Sequence, residues 1–274
     1  MQALPTIVAL LTALLVAPAA LRSLAAAGFV RENYRERRVA FPAGFVAVAA
    51  ALLALVILVP LEEIADADVF RPELGTVALY ALGVAFLGLV DDLLGGDPRG
   101  WRGHGAAVLE GRFDTGALKA LGSLGLALYA LSGQGWSDGR YLLAVAVLVL
   151  ATNLFNLLDL RPGRSIKGFV ALGAGLTLGE WDLDVAAALG LFAAPILVVG
   201  LYDLRERAML GDTGSNLVGG LAGLWLVLSL DTGGLAVALG VLLAITAYGE
   251  FRSISALVER VPLLRSLDSF GRPA

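Results

Sequence analysis

The chain contains no cysteine, a single histidine and few charged side chains. Without cysteine it has no disulfides, no thiolate metal ligands and no cysteine nucleophile. Charged residues make up 16% of the 274 positions, against about 25% in a typical soluble domain. Hydrophobic residues account for 58% of the sequence, and the mean hydropathy is +0.82. This composition argues against a soluble domain and is typical of a polytopic membrane protein.

Repeated apolar runs have the length that a helix needs to cross the hydrocarbon core, roughly 17–25 residues. They predict an all-α membrane protein of about nine spans, with roughly eight to ten as the range. The predicted spans are about 3–21, 41–61, 74–94, 116–132, 140–158, 168–179, 185–201, 215–230 and 233–250. Residues 1–250 would form one transmembrane domain, and residues 251–274 a cytoplasmic amphipathic tail bent near Pro262. The first span follows no basic segment, so we interpret it as an anchor and not as a cleaved signal.

Basic residues are scarce on one side of these spans. One set of loops carries only Arg71 and Arg140, and the other carries the remaining eighteen of the 20 Lys and Arg residues. The positive-inside rule therefore predicts an outer N-terminus and a cytoplasmic C-terminus. The charge of residues 31–40 is interpreted as topogenic, with an attraction to anionic lipid. The lone histidine, His104, is expected to be a solvated loop residue.

Carboxylates fall near the predicted cytoplasmic ends of three spans. Asp91 and Asp92 end the third span, Asp159 ends the fifth and Asp212 begins the eighth. Adjacent acids at a helix C-terminus oppose the helix dipole and repel each other, a penalty that a bound cation removes. Ionisable residues at this depth are usually functional, so we expect the four aspartates to line one cleft.

A polar stripe and a basic loop accompany Asp159. At 100° per residue, Thr152, Asn153, Asn156 and Asp159 share an arc of about 120°. The following loop carries Arg161, Arg164 and Lys167, which are suited to an anionic substrate. Alternatively, the asparagines join helices and the cations only set the topology.

The stretch from Gly211 to Asn216 is polar and glycine-rich and opens a predicted helix. Free N–H groups at such a start favour an anion, and Asp212 beside them is suited to a divalent cation. The alternative is a simple N-cap by Asp212 or Thr213. Lys119, near the start of the fourth span, pairs with a phosphate or snorkels to the interface. Together these residues point to Mg²⁺-assisted chemistry on a diphosphate.

Three segments carry a resemblance to a known family. Gly88-Leu-Val-Asp91-Asp92, Asn153-Leu-Phe-Asn156-Leu-Leu-Asp159 and Met209-Leu-Gly-Asp212-Thr-Gly-Ser215 are similar, in order, to the cytoplasmic motifs of the polyprenyl-phosphate N-acetylhexosamine-1-phosphate transferases. This family (glycosyltransferase family 4) includes phospho-N-acetylmuramoyl-pentapeptide transferase and the undecaprenyl-phosphate N-acetylglucosamine-1-phosphate transferases. The segment Thr115 to Ala120 is similar to the family's lysine-bearing segment.

The resemblance implies Mg²⁺-dependent transfer of a sugar-1-phosphate from a UDP-sugar to undecaprenyl phosphate, with release of UMP, in cell-wall biogenesis at the inner membrane. Asp212 would bind the metal, and Asp91, Asp92 and Asp159 would be catalytic. Binding of the lipid phosphate and the nucleotide-sugar would fall to a larger set: Lys119, Asn153, Asn156, Arg161, Arg164, Lys167, Thr213 and Ser215. No nucleic-acid partner is expected, and both a monomer and a homodimer are compatible with the resemblance.

Two departures from the family keep other functions open. After Asp159 the family continues Gly-Leu-Asp-Gly, whereas this chain has Leu160-Arg-Pro-Gly-Arg-Ser-Ile-Lys167, and no histidine follows His104. One alternative is an aspartate-rich intramembrane prenyltransferase, which would need aspartates spaced four apart on two helices. The other is a non-catalytic lipid-binding or transport relative, since a fold does not fix a function.

Overall fold

The computed structural model describes residues 2–95, 114–181 and 183–273. His104 and the basic residues of the loop before Asp114 lie outside these ranges. The described residues form eleven helices and one two-stranded hairpin. The helices are α1 Leu4–Ala26, α2 Gly44–Glu63, α3 Leu74–Leu94, α4 Thr115–Ala130, α5 Asp138–Leu158, α6 Arg164–Glu180, α7 Asp184–Leu204, α8 Gly211–Ser229, α9 Thr232–Phe251, α10 Ile254–Arg260 and α11 Pro262–Ser269; the strands are β1 Val30–Glu32 and β2 Arg38–Ala40.

Six of the described helices are long and apolar enough to cross a membrane: α1, α2, α3, α5, α7 and α9. This confirms the prediction of a mainly α-helical protein of the membrane type. Helix α4 has 16 residues and α6 has 17, so each reaches only about 25 Å against a hydrocarbon core of about 30 Å. Nine spans and an outer N-terminus stay predictions.

Helix α8 lies at the centre of the bundle and packs on α3, α5, α2, α6 and α7. From Leu217 to Leu228 its residues are apolar on all sides, as expected of a helix enclosed by other helices. Gly219 and Gly223 allow α8 to pack closely on α5. A methyl group at Gly219 would lie 2.7 Å from Cα of Thr152, and one at Gly223 would lie 3.1 Å from Cα of Leu148.

Helix α8 is also confined at its N-terminal end. A side chain at Gly88 of α3 would run into the backbone of Asp212, and one at Gly44 of α2 would run into the backbone of Gly214. Because neither glycine has a Cβ, the three helices come into direct backbone contact here. The first turn of α8 is thereby held between α2 and α3.

The basic segment between α1 and α2 forms a hairpin, where the sequence was interpreted only as a topogenic loop. Strands β1 and β2 are antiparallel, with Arg31 opposite Val39. The side chain of Asn33 accepts the N–H groups of Arg35 and Arg37 at 2.9 and 3.0 Å, which closes the turn. The hairpin is then tied to the segment before α8, because Met209 donates its N–H to the carbonyl of Ala40 at 2.9 Å.

The C-terminal tail folds as two short helices that meet at Val261 and Pro262, where a bend was predicted. Its last turn binds to the loop between α5 and α6. Arg272 donates to the carbonyl of Pro162 at 2.8 Å, and the Arg164 guanidinium bonds to both carboxylate oxygens of Asp268. The apolar face of α11 stays exposed, at 69% for Leu263 and 78% for the following Phe270.

Candidate functional site

Side chains from α3, α4, α5 and α8 meet at one end of the bundle. The C-terminal ends of α3 and α5 and the N-terminal ends of α4 and α8 come together there, so residues far apart in the sequence become neighbours. The shared residues are Asp91 and Asp92 of α3, Lys119 of α4, Asn156 of α5, and Asp212, Thr213 and Ser215 of α8. We call this set the carboxylate cluster.

Asp92 caps α8 from a different helix. Its Oδ1 accepts the N–H of Asp212 at 2.8 Å, and its Oδ2 accepts the N–H and the hydroxyl of Thr213 at 2.8 and 2.6 Å. The residue before α8 is Leu210, which offers no capping side chain. A charged acceptor at a helix N-terminus satisfies free N–H groups and favours the dipole. The predicted N-cap by Asp212 or Thr213 is therefore wrong, because the cap comes from Asp92.

Lys119 lies between two carboxylates of the cluster. Its Nζ donates to Oδ2 of Asp91 at 3.0 Å and to Oδ2 of Asp212. All three side chains are largely buried, with 20 to 31% of each exposed. At this depth two carboxylates without a cation would repel each other strongly. The lysine is thus a neutralising group within the cluster, and it does not snorkel away from it.

Asn156 connects α5 to the same cluster. With its amide oriented so that each end meets a complementary partner, Oδ1 accepts from Nζ of Lys119 at 3.0 Å. Its Nδ2 then donates to Oδ1 of Asp212 at 3.2 Å and to the hydroxyl of Ser215 at 2.8 Å. The amide therefore holds Lys119 and Asp212 at once, and a hydrophobic residue could do neither.

Asp159 lies just beyond α5, next to the cluster. It accepts the hydroxyl of Ser165 at 2.9 Å. Burial raises the pKa of Asp159 well above 3.8, and the negative charges of Asp203, Asp212 and Asp92 raise it further. Asp92 and Asp212 therefore lie near enough to Asp159 to affect its charge, whereas the hydrogen bond of Asp159 is to Ser165, outside the cluster.

Asp203 is a site residue that sequence reasoning did not single out. Only 3% exposed, it accepts the N–H of Gly163 at 2.6 Å and that of Leu210 at 3.3 Å. One carboxylate thus joins the loop after Asp159 to the residue before α8. The available signal was an acid at the end of an otherwise apolar helix.

Asn153 is a correction to the predicted polar stripe. It is exposed on the outside of α5, whereas Thr152 is buried and bonds to the hydroxyl of Tyr80 at 3.0 Å. On a helical wheel Asn153 lies 60° beyond Asn156 and 120° from Asp159, at the edge of the arc. The stripe inside the bundle therefore consists of Thr152, Asn156 and Asp159.

The three cations after Asp159 are a second correction. They were predicted to bind an anionic substrate, but the structure places them against the C-terminal tail. Arg164 bonds to Asp268, with Nε–Oδ1 at 2.8 Å, and Lys167 donates to the carbonyl of Asp268 at 2.6 Å. Arg161 lies 3.9 Å from a carboxylate oxygen of Glu259 and stacks on the ring of Tyr34. These cations hold the tail and are not members of the carboxylate cluster.

Among the described residues, no group of three His, Cys, Asp or Glu side chains is placed to hold a metal by itself. Mg²⁺, however, is usually bound by one or two carboxylates together with substrate phosphates and water. Asp91 and Asp212 share one cation and present further oxygens, and the Asn156 amide oxygen is adjacent. These are the hard oxygen donors that Mg²⁺ requires, so the residues fit such an ion in chemistry.

Known proteins give no further guide to the site. A scan against models of protein families finds no match, and a search among curated proteins finds none at a significant level. The side chains and their geometry are therefore what supports a function.

Proposed function

We propose that the protein transfers a sugar-1-phosphate from a UDP-sugar to polyprenyl phosphate at the cytoplasmic face of the inner membrane, with release of UMP. One observation carries this proposal: Lys119, bonded to Asp91 and to Asp212, brings three helices together beside the capped start of α8. Phosphoryl transfer needs positioning and charge neutralisation more than covalent chemistry, and this cluster offers both.

The proposed reaction exchanges one bond to phosphorus for another. An oxygen of the lipid phosphate bonds to the β-phosphorus of the donor. The bond from that phosphorus to the bridging oxygen breaks, and the electron pair leaves with UMP. Mg²⁺, held by Asp212 and a second oxygen from Asp91 or Asn156, would neutralise the charge of the donor diphosphate.

The remaining residues divide into two roles in this proposal. Asp91 orients the lipid phosphate and accepts its proton when that phosphate arrives protonated. Lys119 donates to a phosphate oxygen, while Asn156 keeps the lysine in place. Asp92 and Thr213 position α8 and do not touch the substrate, because Asp92 directs its hydrogen bonds to the helix start.

Release of UMP is the test of this proposal. Purified protein in lipid nanodiscs is given undecaprenyl phosphate, Mg²⁺ and UDP-N-acetylhexosamines, and UMP is measured. We expect release that requires both the lipid and the metal. Asp212→Asn should abolish turnover and leave the fold intact, because Asn keeps the size but removes the charge that balances Lys119. Near-normal turnover of Asp212→Asn at saturating Mg²⁺ would contradict the role of Asp212.

A non-catalytic relative gives a different result in the same experiment. It would bind the lipid phosphate or the nucleotide and release no UMP with any donor. A prenyltransferase would release pyrophosphate from a prenyl diphosphate instead. The spacing is unfavourable for that reaction, because Asp92 is used as a helix cap and leaves Asp91 without an aspartate partner on α3.

A further inference from the structure

Arg31, on strand β1, has a fixed position but no hydrogen-bond partner among the described residues. Its guanidinium carbon lies 3.8 Å from the centre of the Phe41 ring. A guanidinium over an aromatic face is held by a cation–π interaction, and its N–H edge stays free for other partners. Arg31 is exposed, whereas Phe41 is buried at 6% exposed. The Phe41 ring is therefore part of the protein core, and the Arg31 guanidinium lies on the solvent-facing side of that ring.

Phe41 places Arg31 beside the carboxylate cluster. A methyl group at Gly211 would lie 2.9 Å from Cε2 of Phe41 and 2.7 Å from Oδ2 of Asp92, so ring and carboxylate meet at the first residue of α8. The backbone bond between Met209 and Ala40 fixes the hairpin to the segment that leads into α8.

Three other cations of the described residues already have partners. Lys119 is shared by Asp91 and Asp212, and Arg164 and Lys167 are held by Asp268. Asp92 receives three hydrogen bonds from α8 and so does not use the donors of Arg31. Of these four cations, Arg31 is the one whose donors meet an incoming anion without first giving up a bond to another described residue.

We infer that Arg31 is a substrate-binding residue whose guanidinium, stacked on Phe41, binds a phosphate oxygen of a substrate at the start of α8. This inference rests on the proposed phosphotransfer. A planar guanidinium binds phosphate through two parallel N–H donors, which an ammonium does not reproduce. The phosphate belongs either to the polyprenyl phosphate or to the donor diphosphate; both present the same oxygens.

Binding measurements test this inference with Arg31→Ala, Arg31→Lys and Arg37→Ala in nanodiscs of phosphatidylcholine, which carries no net charge. Arg37 is an exposed arginine in the turn of the same hairpin and serves as the matched control. The probes are undecaprenyl phosphate and, with Mg²⁺, UDP. We expect Arg31→Ala to weaken the binding of one probe by roughly tenfold or more, as for loss of a charge-assisted hydrogen bond. The affinity of Arg31→Lys should lie between those of the wild type and Arg31→Ala, and the affinity of Arg37→Ala should equal that of the wild type.

The affected probe identifies the source of the phosphate. Weaker binding of undecaprenyl phosphate assigns Arg31 to the acceptor, and weaker binding of UDP assigns it to the donor. Phe41→Leu removes the aromatic platform but keeps an apolar side chain, so it should weaken the same probe to a smaller extent. The melting temperature of each variant checks its fold.

Two results would overturn the inference: wild-type affinity of Arg31→Ala for both probes, or equal losses in Arg31→Ala and Arg37→Ala, which would indicate general surface charge. Binding is measured without turnover, so the two proposals separate. If wild-type protein releases no UMP but Arg31→Ala still loses probe affinity, the phosphate site stands and the transfer reaction falls. If wild-type protein turns over and Arg31→Ala keeps its affinity and its KM values, only the inference falls.

Discussion

Asp92 and Thr213 are joined by two hydrogen bonds to a single oxygen, with the Thr213 N–H at 2.8 Å and its hydroxyl at 2.6 Å from Oδ2. The neighbouring Asp91 points about 100° around the same helix, to Lys119. Two adjacent acids that look equivalent in the sequence therefore serve different purposes. Asp92 caps the start of α8, and Asp91 forms an ion pair with Lys119.

Alanine at each of these two positions should separate stability from activity. Asp92→Ala leaves two N–H groups and a hydroxyl without their charged acceptor, so we expect a loss of roughly 2–3 kcal/mol in the free energy of unfolding. Asp91→Ala should cost less stability, since Lys119 keeps Asp212, and should abolish UMP release. Thermal unfolding in detergent and the UMP assay measure the two effects. Equal destabilisation by both variants would contradict this division.

Gly88→Ala should impair the site without removing any functional group. The new methyl group meets the backbone of Asp212, which cannot give way as a flexible side chain does. Overpacking of this kind costs typically 1–3 kcal/mol. Gly75, on the same helix, has nothing within 4 Å of the corresponding position. Gly75→Ala should therefore be neutral or slightly stabilising, and a similar loss of melting temperature in both variants would refute the explanation.

Asp159→Asn should stabilise the protein at neutral pH while lowering activity. Burial, followed by the charge of Asp203, raises the pKa of Asp159, so its ionisation opposes folding at any pH above its ordinary 3.8. Asn keeps an acceptor for Ser165 and carries no charge. The gain in melting temperature should be largest near pH 7 and should vanish below about pH 4, where the acid is neutral in both states. A gain that does not change with pH would point to another cause.

Arg164→Lys should loosen the C-terminal tail. The bidentate bond to Asp268 needs the guanidinium fork, which lysine lacks although it keeps the charge. Faster hydrogen exchange in residues 262–273 would report the loosened contact. Arg205→Lys, at an exposed arginine just beyond α7, is the matched control and should leave exchange unchanged. If the donor KM rises and tail exchange is unaltered, the cation holds substrate, as the sequence predicted, and not the tail.

The same contact should depend on pH. Burial raises the pKa of Asp268, but hydrogen bonds from Arg164 and Arg272 outweigh this effect, so the pKa lies below the ordinary 3.8. Because this pKa is lowered, the contact contributes its full stabilisation above pH 3.8. That stabilisation is lost as the pH falls through the lowered pKa. The protection of the tail amides, measured against their intrinsic exchange rate at each pH, should therefore be constant from pH 7 to about pH 5 and fall only in strong acid. In Asp268→Asn this protection should be low at every pH.

The helices were predictable because length and hydropathy are local properties of the chain. The hairpin was not, because strands of three residues show no alternation and the charges of residues 31–40 dominated the interpretation. What identifies it is the pair of bonds from Asn33 across the turn, and the docking of Ala40 on Met209, 169 positions away.

The cluster was predictable in part for a similar reason. Acids that end or begin apolar helices stand out in a sequence, and Asp91, Asp159 and Asp212 were found in this way. Which partner each acid takes depends on helix rotation and on contacts with distant segments. Asp92, one position from Asp91, accepts hydrogen bonds from the start of α8, and Arg164 bonds to Asp268, 104 positions away.

The contacts at Gly44 and Gly88 also determine how the protein can move. Because α8 touches the backbones of both neighbouring helices, its first turn cannot slide or tilt without a backbone collision. Asp212 therefore keeps one position relative to α2 and α3, whatever approaches it. Adjustment to a ligand falls to Lys119 of α4, which has a long side chain. A ligand would therefore meet the carboxylate of Asp212 in a fixed position, and the ammonium of Lys119 would adjust its position to the ligand.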